Sequence, residues 1–265
     1  MDSPTQSQGL ALVTGASSGI GLALARQLVG HGFDLVVAAE DQGIHEAGAA
    51  LGAGQRLVIP VQVDLTVPEQ VEHLWQQVTD LGRLEVAVLN AGVGVGGRFA
   101  ETALERHLNL VDLNVRSTVH LAKRAVDHFV AQGRGRILVT ASIAAVAPGP
   151  YHATYAASKA FGHSFAEGIR EELSGTGVTV TSLMPGPTDT DFFRRADMLD
   201  TPIGQGRKDD PNDVARDGFA AMMAGKPHVV AGSLKNRVMA EAATHLPDRI
   251  GTKAMAAQTK PRKDR

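Results

Sequence analysis

Short uninterrupted apolar runs alternate with amphipathic stretches along almost the whole chain. Runs at 9–14, 35–39, 56–63, 85–90, 136–141, 178–184 and 227–231 read as strands. They are continuously apolar, the pattern of parallel strands buried on both faces. Between them, apolar residues at helical spacing predict helices over 19–29, 45–51, 68–81, 155–173, 212–224 and 234–244. Pro68 suits the first turn of its helix. Positions 104–132 read as one long helical stretch with a break near Asp112. Strands alternate with helices, with no linker and no internal repeat. The pattern predicts a single domain of α/β class with a doubly wound parallel sheet.

Composition narrows the picture. The 265 residues are 43% hydrophobic and 20% charged, with net charge −2, which suits a soluble globular chain with one sizeable core. Without cysteine there is no disulfide framework, no thiolate chemistry and no cysteine-based metal site. The ten histidines are scattered, with no HxxxH or HExxH pair, so no metal is expected. The polar N-terminus lacks a leader pattern, and no apolar run approaches membrane-spanning length. A cytoplasmic protein with no membrane partner is the expectation. Residues 1–8 are expected to be a disordered start, 9–256 the domain and 257–265 a basic tail. Such a tail is a solubilising end, not a nucleic-acid arm.

Candidate chemistry gathers where strands end. Tyr155 and Lys159 stand four apart and share a helix face, and Ser142 closes the run 136–141. A tyrosine gives up its proton poorly at neutral pH. An ammonium about 4 Å away is worth roughly 4 kcal/mol at an effective dielectric near 20, so Lys159 is expected to lower the phenol's pKa by about three units. The plain alternative is a Tyr and a Lys decorating a helix surface. The first strand runs into Gly15-Ala16-Ser17-Ser18-Gly19-Ile20-Gly21, a turn whose backbone N–H groups can approach a pyrophosphate at a helix start. The same turn matches GxSxG, with Ser17 as a hydrolase nucleophile. Only one strand precedes it, and Gly21 follows it, which favours the cofactor turn. Asp64-Leu65, Asn90-Ala91-Gly92 and Pro185-Gly186-Pro187-Thr188 end further strands on the same edge.

Together these motifs resemble the short-chain dehydrogenase/reductase family in its single-domain form, over about residues 9 to 232. The resemblance implies a Rossmann fold and a nicotinamide cofactor held by Gly15, Ser17, Ser18, Gly19, Ile20 and Gly21. It implies that Asp64, with Leu65 beside it, binds the adenine amino group. It makes Asn90, Ala91 and Gly92 a stretch that stabilises the sheet and lines the cofactor. Pro185, Gly186, Thr188 and Thr190 match the segment for the carboxamide and phosphates. The implied catalytic set is Asn114, Ser142, Tyr155 and Lys159, with Asn114 holding a water beside Lys159, and Tyr155 and Lys159 also meeting the nicotinamide ribose. Leu89 departs from the family pattern, which often has Asn there.

The implied reaction is NAD(P)-dependent interconversion of a secondary alcohol and a ketone, as in an alcohol dehydrogenase or carbonyl reductase. A non-catalytic dinucleotide sensor or scaffold of the same fold is the alternative, and a nucleotide-sugar epimerase or dehydratase a weaker one. Val95, Ile143, Tyr151 and Phe192 are the candidate substrate contacts, with Val146, Pro148, Phe193, Met198 and Leu199 near them and a lid over about 188–210. These side chains favour an uncharged, fairly hydrophobic substrate. Arg194 and Arg195 are expected on the lid's solvated face. For the cofactor, NAD-preferring relatives place an acid where Ala39 stands, and NADP-preferring relatives an Arg where Glu40 stands. Here Glu40 and Asp41 would repel a 2′-phosphate, so NAD is favoured over NADP. Phe161, Phe165 and Gly168 are spaced for an exposed stripe, and the resemblance implies pairing across a two-fold axis as a homodimer or homotetramer.

Overall fold

The structure is a computed structural model that describes residues 7–233 and 248–262. The chain forms β1 (Leu10–Thr14), β2 (Asp34–Ala39), β3 (Val58–Gln62), β4 (Leu84–Leu89), β5 (Gly135–Thr140), β6 (Val178–Pro185) and β7 (His228–Ala231). They make one sheet in the order β3-β2-β1-β4-β5-β6-β7, every neighbouring pair parallel. Parallel neighbours need a crossover, and helices supply it. These are α1 (Gly19–Gly30), α2 (Gly43–Leu51), α3 (Pro68–Asp80), α4 (Leu104–Val111), α5 (Ser117–Gln132), α6 (Ala153–Glu172) and α9 (Pro211–Met223). The single-domain α/β expectation holds, and the main strand and helix bounds fall within a few residues of those read from the pattern.

Side chains alternate across the strands, so each face has its own core. Leu10 and Leu12 of β1 pack with Leu74 of α3, Phe129 of α5 and Ala166 of α6. Ala11 and Val13 face the other way, onto Leu24 of α1, Ile44 of α2 and Phe219 of α9. Each fully buried leucine contributes roughly 2 kcal/mol of burial free energy. The chain begins in the middle of the sheet, winds outward to β3, then returns to place β4 on the other side of β1. A crevice opens where the winding reverses, at the carboxyl ends of β1 and β4.

Four features depart from the sequence pattern. The stretch 104–132 does not break at Asp112. A π-turn over Asp112–Arg116 widens it between α4 and α5. Two short helices, α7 (Phe192–Arg195) and α8 (Pro202–Gln205), form within the expected lid. A further helix, α10 (Asp248–Thr259), reaches three residues into the expected tail. It does so because Thr259 is buried and donates to the Pro150 carbonyl at 2.7 Å. The expected helix over 234–244 lies outside the described residues. Finally, the stripe on α6 is not bare: Phe165 packs against the core, and Phe161 stacks on it with ring centroids 5.5 Å apart. The exposed apolar side chains instead include Phe99 and, on α4, Leu104 and Leu108. Among the described residues no helix is long and apolar enough to cross a membrane, and no group of three His, Cys, Asp or Glu could hold a metal.

Candidate active site

The glycine turn leaves β1 at Thr14. The Thr14 hydroxyl donates to the Val88 carbonyl and accepts from the backbone N–H of Asn90 and of Ala91, at 3.0 and 3.1 Å. The Asn90 amide donates to the carbonyls of Thr14 and Gly15 and accepts from the Thr140 hydroxyl at 3.1 Å. One side chain thereby ties the ends of β1, β4 and β5. Gly15 lies at φ +65, and a Cβ there would stand 2.9 Å from Ala91 Cα. A Cβ on Gly21 would stand 2.5 Å from Asn90 Nδ2. Only glycine fits a turn folded this tightly.

Ser18 caps α1 without bonding its side chain to the helix, and no acid occupies the first turn. The leading N–H groups of α1 are thus left for an anion. At the far side of the turn the Ser17 hydroxyl donates to Asp41 Oδ2 at 2.7 Å, and Gly43 N–H donates to Asp41 Oδ1 at 3.1 Å. Glu40 stands exposed beside them. Free helix N–H groups beside a close-packed glycine turn suit a dinucleotide's pyrophosphate. A hydrolase reading of Ser17 does not survive this geometry, because its hydroxyl is spent on a carboxylate with no histidine.

Ser142, Tyr155 and Lys159 meet where β5 ends. Ser142 is buried, accepts from Ala144 N–H at 3.1 Å, and lies 3.4 Å from the Pro185 carbonyl to which it donates. Its hydroxyl sits beside the Tyr155 phenol. Lys159, buried, donates to the Thr140 carbonyl at 2.7 Å, and its ammonium lies 5.8 Å from the centre of the Tyr155 ring. Asn114 is buried in the π-turn. It accepts from Val93 N–H, and its amide donates to the Val93 carbonyl and to Ser158 Oγ at 3.0 Å. A Cβ on Gly92 would lie 3.1 Å from Asn114 Oδ1 and 3.3 Å from Lys159 Nζ, so that glycine lets the two groups approach.

Protonation runs against the simple expectation. Burial pushes the Tyr155 phenol up to about 12, and the nearby Ser142 hydroxyl opposes the rise. Burial pulls Lys159 down to about 8. Burial, not the Lys159 charge, sets the direction of the phenol's shift, and the ammonium is bonded to the Thr140 carbonyl.

A single cavity of about 1160 Å³ joins these parts. Gly15, Ser17, Ser18, Gly19, Ile20, Gly21 and Glu40 line one end, and Leu65, Asn90, Ala91 and Gly92 follow. Ser142, Ile143, Tyr155 and Lys159 line the middle, with Pro185, Gly186, Thr188, Thr190 and Phe192 opposite. Phe192 lies 5.0 Å from Tyr155 between ring centroids. Four expected residues do not line it. Asp64 turns its carboxylate onto Thr66 N–H and Oγ1, at 2.8 and 2.7 Å. Asn114 braces the wall from behind. Val95 is packed in the interior. Tyr151 takes a left-handed conformation at φ 62 and stacks under the Arg98 guanidinium, 5.8 Å away. Arg195 lines the cavity, while Arg194 pairs with Asp191 on the outside at 2.9 Å.

The cavity has walls that the sequence did not announce. His152, three residues before Tyr155, lines it, as do Met255, Gln258 and Thr259 of α10. Nothing local in the sequence marks α10, since its position depends on docking against α8 and the loop at Pro150. Position alone, just ahead of the catalytic helix, was the signal for His152.

Comparison with known proteins agrees with this layout. The family model described as short chain dehydrogenase matches residues 9–198. A 1-deoxy-11-beta-hydroxypentalenate dehydrogenase of Streptomyces exfoliatus is 39% identical over 201 residues, covering 74% of this chain and 72% of that protein. A short-chain dehydrogenase from Sphingobium yanoikuyae, solved with NADPH, superposes with TM-score 0.78 at 27% identity, over 84% of this chain and 87% of that one. A short-chain dehydrogenase/reductase of Burkholderia phymatum, solved with NAD, gives TM-score 0.82 over 91% of this chain and 92% of that one, at 23% identity, a likeness of fold. A tight glycine turn at the reversal of a seven-stranded sheet, a Ser-Tyr-Lys cluster beside it and this match place the chain in the short-chain dehydrogenase family, as an oxidoreductase that uses NAD(P).

Proposed function

We propose that the protein interconverts a secondary alcohol and a ketone, with NAD(H) favoured over NADP(H) and an uncharged, fairly hydrophobic substrate. The observation that carries this reading is one cavity that runs from the glycine turn to Ser142 and Tyr155 and is then walled by Ile143, Phe192, Phe193, Met198 and Ile203. Ser142 and Tyr155 line the middle of that cavity and converge on the place of a substrate oxygen. With a phenol pushed up to about 12, Tyr155 holds its proton at neutral pH and is ready to give it to a carbonyl oxygen. Lys159, with a pKa near 8, is mostly charged at pH 7 and adds positive potential beside that oxygen. Asn114 fixes the Gly92-Val93 backbone against Ser158, which holds the wall behind Lys159 in place. The nicotinamide, bound along the glycine turn, supplies the hydride chemistry. In a relative, the name hydroxypentalenate dehydrogenase is in keeping with an alcohol as the substrate that gives up the hydride.

NAD is favoured because the adenosine end of the cavity carries Glu40 and Asp41 and, among the described lining residues from the first three strands and their turns, no cation. Asp41 is held there by Ser17 and Gly43. The same reading makes the protein a homodimer or homotetramer. The test follows oxidation of NADH and NADPH with a panel of apolar ketones. NADH consumption is expected, with kcat/KM higher than for NADPH, and Tyr155→Phe should retain NADH binding while turnover falls on the order of a thousandfold. Glu40→Arg should move the cofactor ratio towards NADPH by about tenfold, more at low salt. Loss of neither turnover nor cofactor bias in these variants would refute the assignments, and a tenfold or greater wild-type preference for NADPH would refute the choice of NAD.

A further inference from the structure

His152 lines the cavity that Ser142 and Tyr155 enter, and it is 4% exposed. It stands at the start of α6, yet its side chain makes no capping bond to the helix. Its Nδ1 lies 3.0 Å from the Pro150 carbonyl. A carbonyl oxygen only accepts, so Nδ1 carries the proton. The same carbonyl accepts the Thr259 hydroxyl of α10, which holds it in place. Burial pushes the imidazole below its ordinary pKa and keeps it neutral at physiological pH. A neutral ring protonated at Nδ1 leaves a lone pair on Nε2.

The bond that His152 makes runs through Nδ1, and Nε2 is unpaired among the described residues. The backbone keeps it uncovered: residue 149 is glycine, and a Cβ there would stand 2.8 Å from Nε2 and 3.0 Å from Cε1. The His152 and Tyr155 rings lie 6.0 Å apart between centroids, close enough for one small molecule to touch both. An acceptor that opens to the cavity and is unpaired within the protein is free to take a donor from a bound ligand.

We infer that His152 is a specificity residue whose Nε2 accepts a hydrogen bond from a hydroxyl on the carbon next to the reacting carbonyl or carbinol, so that the substrate is an α-hydroxy ketone or the matching diol. The inference rests on the alcohol–ketone reading of the same site. It narrows that reading from apolar ketones to those that bring a second donor. An imidazole in this state rejects an ether oxygen at the same place, because two lone pairs then face each other.

The probes are α-hydroxyacetophenone and its methyl ether, with acetophenone as the bare ketone. Wild-type enzyme with NADH should prefer the hydroxy ketone to the ether by about tenfold in kcat/KM, the worth of one buried hydrogen bond. His152→Asn keeps a donor for the Pro150 carbonyl but has no atom at Nε2. It should lose the hydroxy-to-ether preference in kcat/KM. His152→Gln, which can bring a carbonyl oxygen near that position, should restore part of it. A purely structural His152 would leave the hydroxy-to-ether ratio unchanged in all three proteins, and that result overturns the inference. Turnover of no ketone at all would count against the alcohol–ketone reading. His152 would then be judged by its imidazole nitrogen-15 signal in the NAD-bound protein. A shift of Nε2 with the hydroxy ketone and not with the ether supports the role, and equal or absent shifts overturn it.

Discussion

Burial moves the protons of Lys159 and Tyr155 in opposite senses, although the two share a face of α6. For Lys159 the folded pKa, about 8, lies below its ordinary 10.5. Between those values the unfolded chain binds more protons than the folded one, so stability rises with pH. The full gap is worth roughly 3 kcal/mol. Wild-type protein should therefore gain stability relative to Lys159→Met as pH climbs from about 8 to 10.5, read from urea midpoints. A difference that stays flat across that window would show that the ammonium remains hydrated. The spacing of Tyr155 and Lys159 was legible because i and i+4 share a helix face whatever the tertiary structure. The direction of the phenol's shift was not, since it depends on how much water the assembled cavity removes. Nor could the sequence say that Lys159 would turn to the Thr140 carbonyl.

Among the elements, the join at Asn90 holds β1, β4 and β5 at their carboxyl ends. Asn90→Ala would leave the Thr14 and Gly15 carbonyls and the Thr140 hydroxyl short of partners. The expected cost is about 2 kcal/mol of stability by denaturant unfolding, and a weaker NADH affinity by fluorescence titration, because the glycine turn is cut loose. Unchanged affinity with lowered stability would confine Asn90 to a structural role. The seven strands were readable because each is an apolar run closed by turn residues. The helices α7 and α8 were not, being four residues each and placed by the packing of Phe193, Met198 and Ile203 on one another. The irregularity at Asp112–Arg116 was legible as a break near Asp112, but its form, a widened turn that lets the helix continue, was not. Asp64, legible as a strand-end acid, bonds its own loop instead of lining the cavity.

At the scale of the whole molecule, the surface to watch is α4. Leu104 and Leu108 are 60% and 52% exposed, one turn apart, beside Phe99 at 66%. Apolar side chains grouped like this mark a contact surface more often than a solvated one. Light scattering at micromolar concentration should give at least a dimer, and Leu104→Glu with Leu108→Glu should shift it towards monomer. A monomeric wild type would dispose of the homo-oligomer, and an assembly untouched by both substitutions would place the interface elsewhere. The winding of the sheet also bears on how the chain is made. Thr14 of β1 rests on Val88 of β4, 74 residues further along. A ribosome delivers β1, β2 and β3 first, and β1 then waits with one edge bare until β4 leaves the exit tunnel. At about 10 residues per second that wait lasts on the order of several seconds, far longer than a hairpin takes to close. A nascent chain stalled before residue 84 presents a central strand as if it were a border, and is most exposed to unwanted pairing at that point of its synthesis.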